Sequence, residues 1–304
     1  MRISTKRMAS TIGIVLLTLG CIQAADTAGA GTTLPDTPDG TVVAVAENLV
    51  NHHPEIVWAA LPESYRADIN EITSTFAEKM DPEVYDQVMA LANRAVEVLQ
   101  QKKDLILASE AFESAQTDPE EFDSSMTAGI AVAQTLLSSE ISTLAGLGAI
   151  NWQQFLATTG RTLMDQAEEI DIEEGEDPMA DLETLEVETL EIGDDTAKLR
   201  LVTADEEPEE IDLVRVEGRW VPAEMAAKWP EVMAEARQKL DEMTPEKVAE
   251  MKGQALMGLA MAEGVIEQIA ATETVEELDA AIGPMIQAMM GSLHFTGGME
   301  GEDE

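Results

Sequence analysis

One cysteine, three histidines, four Trp, two Tyr and five Phe are all that 304 residues hold of the side chains that usually build reactive or stapled sites. A lone Cys21 excludes any disulfide within the chain, so packing alone must supply stability. A Ser-His-Asp or Cys-His set needs a histidine near a nucleophile. Here only His52, His53 and His294 exist, and no Gly-x-Ser-x-Gly elbow accompanies them. His52 and His53 stand before Pro54 at a helix entry, where a capping or surface role is expected. No His-Glu-x-x-His run, cysteine pair or Asp-x-Asp-x-Asp-Gly loop is present, so the sequence names no metal site. Gly146-Leu147-Gly148 is a lone GxG without a third glycine or a preceding strand, too little for a phosphate cradle. Few aromatics also leave little for sugar platforms, although the many carboxylates offer pairs. The expectation is therefore no catalytic residue, no metal and no cofactor.

Basic residues are scarce as well: 18 Lys and Arg stand against 60 Asp and Glu, a net charge of −42. A body this acidic repels nucleic acid and anionic membrane surfaces. Asp171–Asp177 (DIEEGED) is the densest acidic cluster, but its spacing suits a solvated linker and not a calcium loop. Long apolar runs are missing too. The longest, Ile12 to Leu19, falls well short of the roughly 18 residues that a spanning helix needs.

That short run lies between Arg2, Lys6 and Arg7 on one side and small residues ending at Ala24 and Ala25 on the other. Together these are the three parts of a secretory signal, expected over 1–24. Its removal takes away three cations and no anion, which carries the net charge from −42 to −45. Two readings of Cys21 stay open. Thr18-Leu19-Gly20-Cys21 resembles a lipobox, in which Cys21 would be acylated and become the first residue, with Thr18 where an aliphatic residue is usual. Cleavage after Ala24 would instead discard the cysteine. A lipid anchor at Cys21 is the one membrane attachment the sequence offers.

Residues 25–39 have tether composition, with two prolines among small polar residues. A helical region is expected over 40–170. Proline-glutamate pairs mark its helix starts, as at Asp81-Pro82-Glu83 and Asp118-Pro119-Glu120, and Trp229-Pro230-Glu231 and Thr244-Pro245-Glu246 extend the series. Thr274 and Glu277 have capping-box spacing. Apolar stripes step by threes and fours: Tyr65, Ile69, Ile72, Phe76, then Val84, Val88, Leu91, Ala95, then Trp152, Phe155, Leu156. An acidic linker is expected over 171–183, and period-two alternation then predicts a meander over 184–222. Leu185, Val187, Leu190 and Ile192 slip phase near Thr189, which suggests a bulge. Ala197, Leu199 and Leu201 alternate cleanly with Lys198 and Arg200, and Glu217-Gly218 reads as a tight hairpin. Helices return over 223–292, and 293–304 reads as a disordered acidic tail. The fold class is α+β, predominantly helical, with a three- to four-stranded antiparallel meander between helical regions.

The alternating run from Asp195-Thr196-Ala197, followed by Leu213-Val214-Arg215-Val216-Glu217-Gly218-Arg219-Trp220, resembles the closing strands of NTF2-like and SnoaL-like domains. That resemblance covers about forty residues and implies a ligand pocket on the concave sheet face, lined by residues such as Leu199, Leu201 and Trp220. The stretches Ala60–Tyr65 and Lys79–Tyr85 resemble uncharacterised bacterial exported proteins and carry no function with them.

Methionine is the one odd abundance. Met251, Met257, Met261, Met285, Met289, Met290 and Met299 crowd the last third with His294. Thioethers are soft ligands for Cu(I), but the same residues are explained by core packing on apolar helix faces. The function expected is that of an exported, non-enzymatic periplasmic or envelope protein that binds an envelope protein or a small ligand. The alternative is an NTF2-like small-ligand-binding or enzymatic domain.

Overall fold

A computed structural model describes residues 34–109, 119–168, 178–204 and 207–283. The expected signal, Cys21, the cluster at 171–177, the acidic tail and the methionines from Met285 onward lie outside the described residues.

Helices begin where sequence chemistry satisfies their free N–H groups. Thr37 caps α1 (Pro38–Val50), its hydroxyl accepting from the Gly40 N–H at 3.2 Å. Two helices follow, α2 (Glu55–Ala60) and α3 (Glu63–Lys79), each entered through a proline. Asp81 then caps α4 (Pro82–Leu107), accepting from Glu83 and Val84 at 3.0 and 3.1 Å. After α5 (Pro119–Leu137), a 3-10 turn at Glu140–Ser142 and α6 (Leu144–Gly148) reverse the chain. Next, α7 (Trp152–Phe155) runs through a π turn at Leu156–Gly160 into α8 (Arg161–Ala167). Where composition predicts a linker, residues 178–183 form a short helix, α9 (Pro178–Glu183). Its Leu182 is an apolar residue that packs beside Leu49 and Ile56.

The meander is β1 (Glu186–Ile192), β2 (Thr196–Val202), β3 (Glu209–Val216) and β4 (Arg219–Pro222), all antiparallel and in chain order. The phase slip is a register shift between Thr189 and Glu191. The hairpin at Glu217-Gly218 takes positive φ at both residues, 50° and 78°, as a type I′ turn requires. Glu217 also caps α3, accepting the Ser64 N–H at 2.9 Å, and that bond holds its carboxyl below the usual carboxylate range. The sheet leads directly into α10 (Ala223–Glu242) and then α11 (Pro245–Ala270), and 275–283 form one more helical stretch. Pro230 does not start a helix: it lies inside α10, which is already running from Ala223. At Thr274 the hydroxyl accepts from the Glu277 N–H at 3.3 Å, while Glu277 reaches back to the Glu273 N–H at 2.8 Å.

The main core lies between α2, α3, α7 and α10, where Trp58, Tyr65, Ile69, Trp152, Phe155, Met225, Trp229 and Met233 are buried together. A second cluster sits on one sheet face, where Ala197, Leu199, Leu213 and Trp220 pack with Val42 of α1. The other face is a charge ladder. Arg200 pairs with Glu188 at 3.0 Å and Glu210 at 3.5 Å, and Lys198 pairs with Glu210 at 3.5 Å and Asp212 at 3.7 Å. The flanking helix α10 packs on β3 and β4, as proximity in sequence favours, and a further cover, α1, comes from the far end of the chain. Its entry is pinned: Asp36 pairs with Arg215, and its carbonyl accepts from Trp220 Nε1 at 3.3 Å.

Candidate functional site

Three places in the fold could carry chemistry. The first is the sheet face expected to hold a pocket. Leu199 and Leu201 are fully buried there, and Trp220 is 6 % exposed. What remains beneath α1, α9 and the β3–β4 hairpin is an apolar cavity of about 70 Å³. Trp220 borders it with Val42, Leu49, Leu182 and Leu213, whereas Leu199 and Leu201 do not. The polar groups of its lining side chains are already engaged: the Thr41 hydroxyl donates to the Pro35 carbonyl at 3.0 Å and Trp220 Nε1 to the Asp36 carbonyl at 3.3 Å. A space of this size and lining offers no converging polar groups to orient a substrate.

The second place is the His52–His53 turn between α1 and α2. Both histidines tie that turn to α8. His52, in the left-handed region with φ of 56°, bonds Asp165 through Nδ1 and Glu168 through Nε2, the latter at 2.6 Å. Arg161 leaves the π turn and donates to the His52 carbonyl at 3.0 Å and to His53 Nδ1 at 2.7 Å. Glu55 stands 3.0 Å from the same nitrogen, so His53 Nδ1 can serve only one of the two at a time. Neither ring bonds a hydroxyl or thiol among the described residues, and the arrangement reads as a clasp. Among those residues, too, no group of three or more His, Cys, Asp or Glu side chains is placed to hold a metal ion.

Asp165 raises the pKa of His52 most strongly, burial opposes it, and Glu168 adds to the rise. A raised folded-state pKa contributes stability that is complete below the unfolded value of about 6.5 and is lost as pH climbs through the folded value. The melting temperature should therefore fall as pH rises above about 6.5, and His52→Asn should remove that part of the slope. Asparagine also suits the left-handed backbone, so refolding of the turn is not at issue. Equal slopes for the two proteins would rule out the clasp as a titrating element.

Glycines of the lone GxG serve packing. A Cβ on Gly146 would stand 2.2 Å from the Glu140 carbonyl oxygen, and one on Gly148 would stand 3.2 Å from Ala77 of α3. Gly146→Ala should cost about 1–3 kcal/mol in denaturant unfolding, because the obstacle is backbone and cannot swing away.

The third place is a surface, and it corrects the expectation for the methionines. Core packing predicts Met251, Met257 and Met261 on a covered helix face, but they are 65 %, 64 % and 70 % exposed. With Val265 on α11 and Val88 and Leu99 on α4, they make up six of the eight exposed large apolar side chains among the described residues. The other two, Ile192 and Val232, lie on different elements. Helix α11 contributes no fully buried residue at all. The signal was present in the sequence: α11 is apolar around most of its circumference, wider than one covered face needs. Among the described residues no helix is long and apolar enough to cross a membrane. No protein-family model matches the chain, and no curated protein or solved structure matches it significantly.

Proposed function

We propose that the chain is an exported, non-enzymatic protein of the periplasm or cell envelope that works by binding a partner. The observation that carries this reading is the apolar surface on α4 and α11. Exposed apolar patches on soluble proteins mark interaction sites more often than they occur by chance. Export rests on the N-terminal charges, apolar run and small residues, followed by a stretch of tether composition. Attachment is either through an acylated Cys21 or absent, with a mature start at Ala25.

Fractionation of the producing cell with mass measurement of the mature N-terminus tests the export half. An acylated Cys21 in membranes or a free Ala25 in the periplasm agrees with it, and an intact Met1 in the cytoplasm overturns it. Turnover of a cell-wall or metabolite substrate by the purified chain would overturn the non-enzymatic half. A second reading, an NTF2-like domain holding a small ligand, is favoured only by the apolar cavity beside Trp220. It expects small apolar molecules to raise the melting temperature, and to do so less when Trp220 is replaced by Leu.

A further inference from the structure

Helices α4 and α11 lie side by side and run the same way. Near their starts Lys252 pairs with Asp81 at 3.0 Å and Glu83 at 2.7 Å. Farther along, Arg94 holds Glu267 in a bidentate pair, and Lys102 donates to the Thr272 carbonyl just past the end of α11. Successive residues turn by about 100° in the same sense on both helices. That places Val88 and Leu99 of α4 on the same side of the pair as Met251 and Val265 of α11, with Met257 and Met261 continuing onto the outer edge. At the near end of this surface a cleft of about 350 Å³ opens between the helix ends, its apolar wall made by Met80, Val84, Met243, Val248 and Met251 and its charged rim by Asp81, Glu242 and the ion-paired Lys239, Lys247 and Lys252. It is of a size to take one large apolar anchor.

Three glycines point the same way. A Cβ on Gly253, Gly258 or Gly264 would meet nothing within 4 Å, so no contact inside the described chain requires them. They lower helix propensity and leave the methionine face flat enough for another helix to approach closely.

Charge says what fits. Glu246 and Glu250, within about 20° of Met257 around α11, have no ion-pair partner among the described residues. The cations nearby are engaged: Lys247 with Glu242, Lys252 with Asp81 and Glu83, Lys239 with Glu235 and Arg94 with Glu267. A second copy of a chain carrying −42 would be repelled, and so would an anionic membrane. We propose that the α4–α11 face docks a cationic amphipathic helix, its apolar side on the methionines and its Lys or Arg side toward Glu246 and Glu250, which share the outer edge of α11 with Met257. Methionine suits such a site because its unbranched thioether adapts to differently shaped anchors. This deepens the reading of the chain as a binding module and rests on it.

The probe is a Leu/Lys amphipathic peptide of about 18 residues, long enough for five helical turns, titrated against the full chain at low salt. A scrambled peptide of equal composition and a Leu/Glu peptide serve as controls. The expected result is saturable one-to-one binding of the amphipathic Leu/Lys peptide alone, weakening as salt rises. Met257→Gln with Met261→Gln should weaken it about tenfold or more at an unchanged melting temperature, since both side chains stand in solvent. Equal binding of the scrambled peptide, or binding that ignores the double variant, overturns the site in favour of diffuse charge attraction. No binding overturns it as well. Peroxide oxidation of Met257 and Met261 reads the other occupants. Protection that grows with protein concentration assigns the face to a second copy, and protection in the free monomer assigns it to residues 284–304; either overturns the proposal. An exported chain indifferent to the peptide loses this site alone, whereas substrate turnover defeats the wider reading independently of it.

Discussion

Trp229→Ala is expected to unfold the protein more readily by about 3–5 kcal/mol, with a melting temperature lower by roughly 10 °C. Trp229 joins α10 to α3 in two ways. Its ring stacks on Tyr65 at 4.0 Å between centroids and 7° between planes, within the largest buried cluster. Its Nε1–H donates to Asp68 at 2.8 Å, and Arg237 from the same helix holds Asp68 through the other oxygen at 2.5 Å and Glu71 at 2.6 Å. Truncation removes the stacked ring, leaves a cavity against Tyr65 and deprives Asp68 of one donor. Trp229→Phe keeps a smaller stacked ring and loses the donor, so it should cost less, about 1–2 kcal/mol. Urea melts of the two variants separate the contributions. Similar losses for both would mean that the hydrogen bond, and not the packed ring, joins the helices.

The elements themselves were legible because local chemistry decides them. Asp81-Pro82 and Thr244-Pro245 cap helices with side-chain oxygens as their types imply, whereas Thr37-Pro38, which reads as tether, opens α1. Alternation in β2 separates Leu199 and Leu201 from Lys198 and Arg200, and even the slip at Thr189 is a true register shift. Trp229-Pro230-Glu231 misled for an equally local reason. The pair resembles a helix start, but the stack on Tyr65 and the bond to Asp68 favour one continuous α10, which accepts the loss of a helical hydrogen bond at Pro230. The segment 178–183 misled because acidic composition hides the apolar spacing of Met179, Leu182 and Leu185, all of which border the cavity.

Less of the candidate surface was legible, because exposure is a property of what packs and not of residue type. Met251, Met257 and Met261 are apolar like Val248, Leu259 and Ile266 of the same helix. Only the placement of α4 beside α11 determines which of them face solvent. The pairing of Lys252 with Asp81 and of Arg94 with Glu267 joins residues more than 170 positions apart, and no local pattern announces it. The histidines show the same limit: adjacency to Pro54 located the turn, while Asp165 and Glu168, which make it a clasp, lie over 110 positions away.

Long-range cover is also what the second large effect measures. Leu199→Ala should destabilise by roughly 3–5 kcal/mol, because Leu199 is wholly buried among Ala197, Leu213 and Trp220 and the vacated space cannot collapse against a hydrogen-bonded sheet. Lys198→Ala, one residue away on the charged face, should leave the urea midpoint nearly unchanged, since exposed ion pairs contribute little. The partner that matters is Val42, which brings α1 onto the sheet from more than 150 residues earlier. If α1 covers the face, Val42→Ala and Leu199→Ala share one packing region, and the double variant should depart from additivity by about 0.5 kcal/mol or more. Strict additivity would mean that α1 does not lean on Leu199.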